Sequence, residues 1–182
     1  MENDSDMEVL ERYLGRTPIN VIGAIRDLGI EYFEEPLDDG VSGSIDLIDG
    51  KYEIRVNSNQ SLQRRRFTAA HELAHYLLHR DLLRQHGHLD RLFSSGQVVS
   101  GQTLSPAHEV EANKLAAEIL MPERAVRDEL VWSHYDIEKI ARQFQVSVPA
   151  MEIRLKVLGI SLDAERAKDE HYRRSDGPTP FV

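Results

Sequence analysis

The segment from Phe67 to Leu78 limits the possible folds of this chain more than any other. Wound as a helix at about 100° per residue, it carries apolar side chains around most of its circumference, which predicts a buried helix. The exceptions share one polar arc of roughly 100°: Thr68, His71, Glu72 and His75. His79 extends this arc by a turn. Because buried polar groups need partners, we expect the arc to face a cleft or another buried element, the alternative being a narrow solvated face.

The polar arc contains the pentad His-Glu-Leu-Ala-His at positions 71–75. On a helix, His71 and His75 lie one turn apart on the same face, where two imidazoles can bind one metal ion. Glu72 then lies beside the metal, where its carboxylate can take a proton from a water molecule that the metal activates. The pattern predicts hydrolysis of an amide bond with one zinc ion as cofactor. Hydrogen-bonded core histidines are the alternative interpretation.

A catalytic zinc site needs a third protein ligand and an open position for water. The segment 105–122 is predicted to form a second helix, since a serine and a proline suit its start and a second proline ends it. Glu109 and Asn113 lie one turn apart in the middle of the apolar side of this helix. A carboxylate buried there needs a strong partner, and a zinc ion held by the two histidines would supply one.

Alternatives to Glu109 as the third ligand stay open. A buried ion pair could satisfy this carboxylate instead, with one of three consecutive arginines as its partner: Arg64, Arg65 and Arg66. Glu111 is the other candidate carboxylate, but its position on the helix points it to water. His108 lies at the border of the apolar side and stays open as a ligand.

The two predicted helices carry motifs of a known family. The run from Arg64 to His79 contains the pentad, and the run from Glu109 to Pro122 reads Glu-x-Glu-Ala-Asn and ends in Leu-Met-Pro. Together they resemble the ImmA/IrrE metallopeptidases, over about residues 17 to 160. The resemblance implies a zincin-like core with Glu109 as the third zinc ligand. It also implies a protein substrate, since characterised members relieve repression by cleaving, or triggering cleavage of, a repressor of the XRE helix-turn-helix type.

The remaining patterns predict an α+β fold, with a small antiparallel sheet packed on the pentad helix, further helices and a C-terminal helical hairpin. Before the pentad helix come a helix that Thr17 and Pro18 open and Gly29 closes, and three short strands: 30–33, 44–48 and 52–56. Asp49-Gly50 marks a hairpin turn between the last two. The expected division has four parts: an N-terminal extension (1–16), the metallopeptidase core (17–130), a helix-turn-helix-like segment packed on the core (131–162) and a flexible tail (163–182).

The helix-turn-helix outline raises the question of DNA binding. Its second helix offers Glu152, Arg154 and Lys156, which is nearly neutral and a poor surface for phosphate, so we expect it to pack on the core or hold a protein partner. The stretch 84–102 is predicted to be a long loop bordering the substrate cleft, or an ordinary surface loop, with His86 and His88 most simply solvated.

Composition favours a compact intracellular protein. The chain has no cysteine, its acidic N-terminus lacks signal-peptide character and no apolar run is long enough to span a membrane, so we expect a cytoplasmic location. The net charge of −9 argues against general nucleic-acid binding and suits a partner with a basic surface, such as a DNA-binding repressor.

These patterns together predict a zinc endopeptidase in which His71, His75 and Glu109 bind the metal and Glu72 is the general base. His79 lies about 12 Å along the helix axis from His71, so we expect it to orient a neighbour or contact the substrate. Three further residues complete the candidate site as positioning or substrate-contacting groups: His79, Asn113 and Arg64. The alternative function is a zinc-fold binding module that sequesters a partner, as in a toxin–antitoxin pair, without cutting it.

Overall fold

The computed structural model describes residues 2–86, 88–92 and 105–175 of the 182-residue chain. The described helices are α1 (Glu2–Leu14), α2 (Val21–Asp27), α3 (Leu62–His86), α4 (Pro106–Leu120), α5 (Glu123–Trp132), α6 (Ile137–Phe144), α7 (Val148–Val157) and α8 (Leu162–Ser175). The described strands are β1 (Glu31–Glu35), β2 (Val41–Ile48), β3 (Lys51–Asn57) and β4 (His88–Leu92). The predicted α+β class is confirmed. Buried apolar side chains from the sheet and from α1 to α7 form one hydrophobic core.

The four strands form a single sheet in the order β1-β3-β2-β4. β2 pairs antiparallel with both β3 and β4, and the predicted hairpin turn lies at Asp49 and Gly50, whose φ angles of 49° and 80° suit a tight turn of this kind. The sheet is mixed, however, and not wholly antiparallel as expected. β1 precedes β2 in the chain but pairs with β3 and not with β2. β1 and β3 run parallel.

The sheet packs directly on α3 because β2 carries a glycine at the point of closest approach. A Cβ atom added to Gly43 would lie 2.5 Å from Cγ2 of Thr68 and 2.6 Å from the backbone oxygen of Arg55. Both distances are far below van der Waals contact, so only glycine lets strand and helix come this close. No local sequence pattern points to this position.

α3 is longer than predicted and bent near its middle. Its backbone leaves helical geometry at His79, with φ −125° and ψ 26°, and a second helical segment continues to His86. β4 follows at once and pairs with β2. The prediction of an irregular loop from residue 84 is therefore wrong for 84–86 and 88–92, because hydrogen bonding to the sheet edge orders a segment without a clear strand pattern; 93–102 lie outside the described residues.

The two ends of the described chain are helical. Leu10 of α1 is buried in the common core at 1% exposure, and the Asp6 carboxylate accepts a hydrogen bond from Arg80 of α3. The segment 1–16 thus contributes to the core, while the predicted domain boundaries stay predictions. Residues 163–175 of the expected tail are helical and belong to the charged helix α8, and residues 176–182 lie outside the described part.

Local capping signals define the helix boundaries well. Asn20 caps α2, three residues after the predicted start at Thr17, and Gly29 follows its end with a φ of 75°. The helix-turn-helix outline is confirmed, since α6 and α7 are separated only by residues 145–147. Arg154 of α7 is buried, donating to the Met121 carbonyl oxygen at 2.9 Å and pairing with Glu118. It therefore serves the packing of α7 on α4.

Candidate metal centre

The predicted polar arc of α3 lies inside the protein. Thr68, His71 and His75 are fully buried, and Glu72 is 1% exposed. The alternative of a narrow solvated face is therefore wrong. The apolar positions around them are buried as predicted, except Phe67, which is partly buried, and Leu78, which is 48% exposed next to the bend of the helix. α4 packs along α3, and this pairing brings the second predicted motif to the first.

Three side chains meet with the geometry of a metal site. Nε2 of His71 lies 2.9 Å from Nε2 of His75, and the same atom of His75 lies 3.5 Å from Oε1 of Glu109. One ligand atom from each residue falls within 4.8 Å of the others, and no other such cluster occurs among the described residues. A tetrahedral zinc ion with bonds of about 2.0–2.1 Å requires donor atoms about 3.3 Å apart, so these spacings bracket the required value. Two imidazoles and one carboxylate therefore fit zinc in both chemistry and distance.

His79 extends the cluster away from the metal position. Nδ1 of His75 lies 3.0 Å from Nδ1 of His79, and Nε2 of His79 lies 3.2 Å from Oε2 of Glu111. If Nε2 of His75 carries no proton and can bind a metal, Nδ1 of His75 carries the proton and donates a hydrogen bond to His79. His79 then accepts at Nδ1 and donates from Nε2 to Glu111. Because the Glu111 carboxylate can only accept, these hydrogen bonds run from His75 through His79 to Glu111. They therefore favour the tautomer of His75 whose Nε2 is free to bind a metal.

Glu111 differs from its expected role. Its side chain is 59% exposed, as the helix position predicted, yet its carboxylate faces His79. Sequence spacing gives no signal for this contact, because 32 positions separate the two residues. His108 also takes part, since its Nδ1 accepts the backbone N–H of Ser105 at the start of α4 and its ring lies 4.7 Å from the ring of His79.

Two of the three arginine alternatives for Glu109 are engaged elsewhere. Arg65 forms an ion pair with Glu34 at 3.1 Å, and Arg66 donates to the carbonyl oxygen of Ile19 at 3.0 Å. Burial lowers the pKa of Arg66, as expected of a cation withdrawn from water. The third arginine, Arg64, is exposed, and its Nη2 lies 3.5 Å from the hydroxyl of Ser42.

Asn113 corrects the predicted rotation of α4. The helical pattern predicts it in the middle of the apolar side, whereas it is exposed in the structure. Ala112 and Ala116 are the buried residues of this stretch, so the buried side of α4 is rotated away from Asn113. Glu109 is consequently at the edge of the buried side, one-third exposed. Asn113 therefore makes no part of the histidine and carboxylate cluster.

A groove of about 710 Å³ runs beside the cluster, between the start of α3, α4 and α7. Arg64 and Asn113 line this groove, but the three candidate ligands do not. Phe67 connects the two features, because it lines the groove while its ring centroid lies 6.1 Å from that of His71. The groove thus lies next to the cluster: its lining reaches Phe67, one helical turn before His71 on α3, and Val110, the residue after Glu109 on α4.

The side chains of His86 and His88 lie outside the described part of the structure, so their roles stay open. Among the described residues, no helix is long and apolar enough to cross a membrane.

Comparison with known proteins is consistent with this geometry. A peptidase family model described as the IrrE N-terminal-like domain matches residues 25–156. A solved structure of a Mycobacterium tuberculosis transcriptional regulator is similar, with a TM-score of 0.57 and 24% sequence identity over 84% of this chain. The match covers only 46% of that protein, so this chain spans about half of its length, and the likeness shows the fold alone. No curated protein matches the chain significantly.

Proposed function

We propose, from the premise that the chain belongs to the family of IrrE N-terminal-like peptidase domains, that it is a zinc-dependent endopeptidase acting on a regulatory protein. One observation carries the proposal: His71, His75 and Glu109 bring their ligand atoms within 4.8 Å of one another in the buried pairing of α3 with α4. Glu72 accompanies them on the same helix. A site for structural zinc has four protein ligands, whereas three ligands leave a position open for catalysis.

The ligand residues and Glu72 have different roles in the proposed reaction. Zinc, when bound, supplies a Lewis acid that polarises the scissile carbonyl and makes water a better nucleophile. Glu72 takes the proton of the attacking water on its carboxylate and delivers it to the nitrogen of the leaving amine. The near-complete burial of Glu72 limits competing bulk water and favours transfer of the proton over short distances.

His79 and Glu111 are positioning residues in this proposal. Their hydrogen bonds hold His75 with Nδ1 protonated and Nε2 directed at the ligand cluster. Such outer partners typically contribute about 10- to 100-fold to metal affinity or activity. The bend of α3 at His79 supports the role, since helical geometry is given up at the residue that makes both contacts.

The substrate we propose is an XRE-type helix-turn-helix repressor or an antitoxin, and the proposed location is the cytoplasm. The match to a peptidase family supports a protein substrate, and the resemblance of the two helix motifs to repressor-cleaving metallopeptidases supports this class of substrate. We do not assign DNA binding to this chain, because Arg154 of the helix-turn-helix-like segment is buried against α4.

The test is the Glu72→Gln variant, incubated with a purified XRE-type repressor encoded beside the gene. Glutamine has nearly the same shape but cannot take a proton from water, so we expect proteolysis to fall by about 100-fold or more. Zinc content and unfolding temperature should stay those of the parent. Full cleavage by the variant, measured by mass spectrometry, would contradict the proposal.

The same variant separates cleavage from sequestration. Expressed below the amount of the repressor, a variant that binds without cutting can hold only a fraction of the repressor molecules, so it should leave the repressed promoter silent in cells. If it relieves repression as well as the parent does, the protein acts as a binding module, and the sequestration alternative replaces proteolysis.

A further inference from the structure

Thr68 is the one residue of the polar arc of α3 that the proposed function does not use. Its side chain is fully buried, and its hydroxyl oxygen has no hydrogen-bond partner among the described residues. A threonine inside a helix usually satisfies this group by donating to the backbone carbonyl oxygen four residues earlier. Thr68 does not make that bond. Because a buried hydroxyl without a partner costs free energy, the hydroxyl of Thr68 needs an explanation other than stability.

Packing against the sheet explains the methyl group of Thr68 but not its hydroxyl. The Cγ2 methyl lies against β2 at Gly43, where an added Cβ atom would be 2.5 Å away. The methyl occupies one of the three staggered positions on Cβ, so the hydroxyl takes another and faces a different direction. A valine could make the same contact with Gly43. The contact with the sheet therefore requires a methyl group at this position and leaves the hydroxyl for another role.

We infer that Thr68 is a positioning residue for Glu72 and donates a hydrogen bond to one oxygen of its carboxylate. The other carboxylate oxygen is then left to take the proton of the attacking water. This inference rests on the proposed function, because it gives Thr68 a part in the same proton transfer. Removing the hydroxyl should slow the reaction without loosening the metal, since Thr68 is not among the ligands.

Helix geometry places the two side chains within reach of each other. Thr68 and Glu72 are four residues apart on α3, so their Cβ atoms lie about 5–6 Å apart on one face. Long side chains of a helix lean toward its N-terminus, which carries the Glu72 carboxylate over the turn that begins at Thr68. Both residues are at most 1% exposed, and a hydrogen bond to a carboxylate is strong in such surroundings. Catalytic hydrogen bonds often close only when substrate is bound, which fits the open hydroxyl of the structure.

Two variants of Thr68 separate the hydroxyl from the methyl group. Thr68→Val keeps the shape and removes the hydroxyl, so kcat for cleavage of the purified XRE-type repressor should fall about tenfold. KM should stay unchanged, because the lost bond acts on the proton acceptor and not on substrate binding. Thr68→Ser keeps the hydroxyl and should retain a kcat within about threefold of the parent. The zinc content of both variants should equal that of the parent.

Stability of the zinc-free protein should follow the opposite order. With chelator present, Thr68→Val should unfold at the temperature of the parent or above it, because it removes a buried hydroxyl without a partner. Thr68→Ser should unfold at a lower temperature, because it removes the methyl group that packs on Gly43. The matched control is Ser133→Ala, which removes a buried hydroxyl that donates to the carbonyl oxygen of Leu130 at 3.2 Å. This control should lower the unfolding temperature and leave kcat unchanged.

The Glu72→Gln background shows whether Thr68 acts through Glu72. Without the carboxylate, Thr68→Val should reduce the residual cleavage no further, since the two changes remove the same step. An equal reduction in both backgrounds would overturn the assignment, and so would a parental kcat, a loss of zinc or a lowered unfolding temperature in Thr68→Val. A parent protein that cleaves nothing would refute the proposed function and this role with it. Equal cleavage by the parent and Thr68→Val would refute this role alone.

Discussion

The pair α3 and α4 and the pair α6 and α7 pack on the same core but are specified in different ways. In the first pair, buried polar side chains contact partners far away in sequence, as His75 contacts Glu109 and His79 contacts Glu111. In the second pair, the start of each helix is fixed by a capping side chain within three residues. Asp136 caps α6, and Ser147 caps α7.

Because of this difference, substitutions in the two helix pairs should have different effects. A polar cluster buried in an apolar core costs free energy unless its partners are in place, so the first pair depends on its tertiary contacts and, in the proposed function, on a bound metal. The second pair depends on local hydrogen bonds at its helix starts and, in α7, on the long-range contacts of Arg154. Changes in α3 and α4 should therefore alter metal binding most, and changes in α6 should alter stability alone.

Loss of a histidine ligand should have the largest effect. His71→Ala or His75→Ala leaves two ligand groups, which cannot hold zinc tightly, so we expect roughly one equivalent of bound zinc to be lost. Elemental analysis after dialysis measures this directly. Full zinc occupancy in both variants would remove the basis of the metal centre.

Glu109 and Glu111 of α4 should differ in their effect on zinc affinity. Glu109→Gln removes a proposed ligand, so it should lower zinc affinity by more than the ~100-fold upper range for outer hydrogen-bond partners. Glu111→Gln keeps an oxygen that can accept from His79, so its effect should stay within about tenfold. Competition with a chromogenic chelator gives both values. The reverse ranking would mean that Glu111 is the ligand.

A glycine substitution in α6 should change stability without changing zinc binding. Gln145 ends this helix in the left-handed conformation, with a φ of 55°, which costs free energy for any residue with a Cβ atom. We expect Gln145→Gly to raise the free energy of unfolding by about 0.5–1 kcal/mol. Gln143→Gly, an exposed position within the same helix, should lower it by about 1 kcal/mol. Urea unfolding with zinc present separates these outcomes, and equal signs would contradict the local account of α6.

The smallest expected effect is a pH dependence at the start of α6. The Asp136 carboxylate accepts the backbone N–H of Lys139 and then that of Glu138, and these bonds lower its pKa. A lowered folded pKa means that the stabilisation is present above the unfolded pKa and is lost as the pH falls through the folded value. The difference in unfolding temperature between the parent and Asp136→Asn should therefore shrink in acid, below the usual aspartate range. A difference that stays constant from neutral pH into acid would show that the charge contributes nothing.

The sequence alone was sufficient wherever local chemistry decides the outcome. The pentad helix, the turn at Asp49-Gly50, the serine cap of α4 and the boundary between α6 and α7 all follow from helical periodicity or from caps and turns. The pairing of His71 and His75 follows from their spacing of one turn. Glu109 was reached from the apolar pattern of α4 and from the family motif, and the structure brings it to the two histidines.

Contacts between distant segments were decided only by the tertiary structure. The position of β1 beside β3, the bend at His79 and the pairing of His79 with Glu111 depend on how the helices and the sheet pack together. Gly43 matters only because α3 crosses β2 at that point. The groove forms only where α3, α4 and α7 come together. Spacing along one helix or strand determines which residues share a face, but it carries no information on which other face they meet, since packing between elements is set by the shape of the whole core.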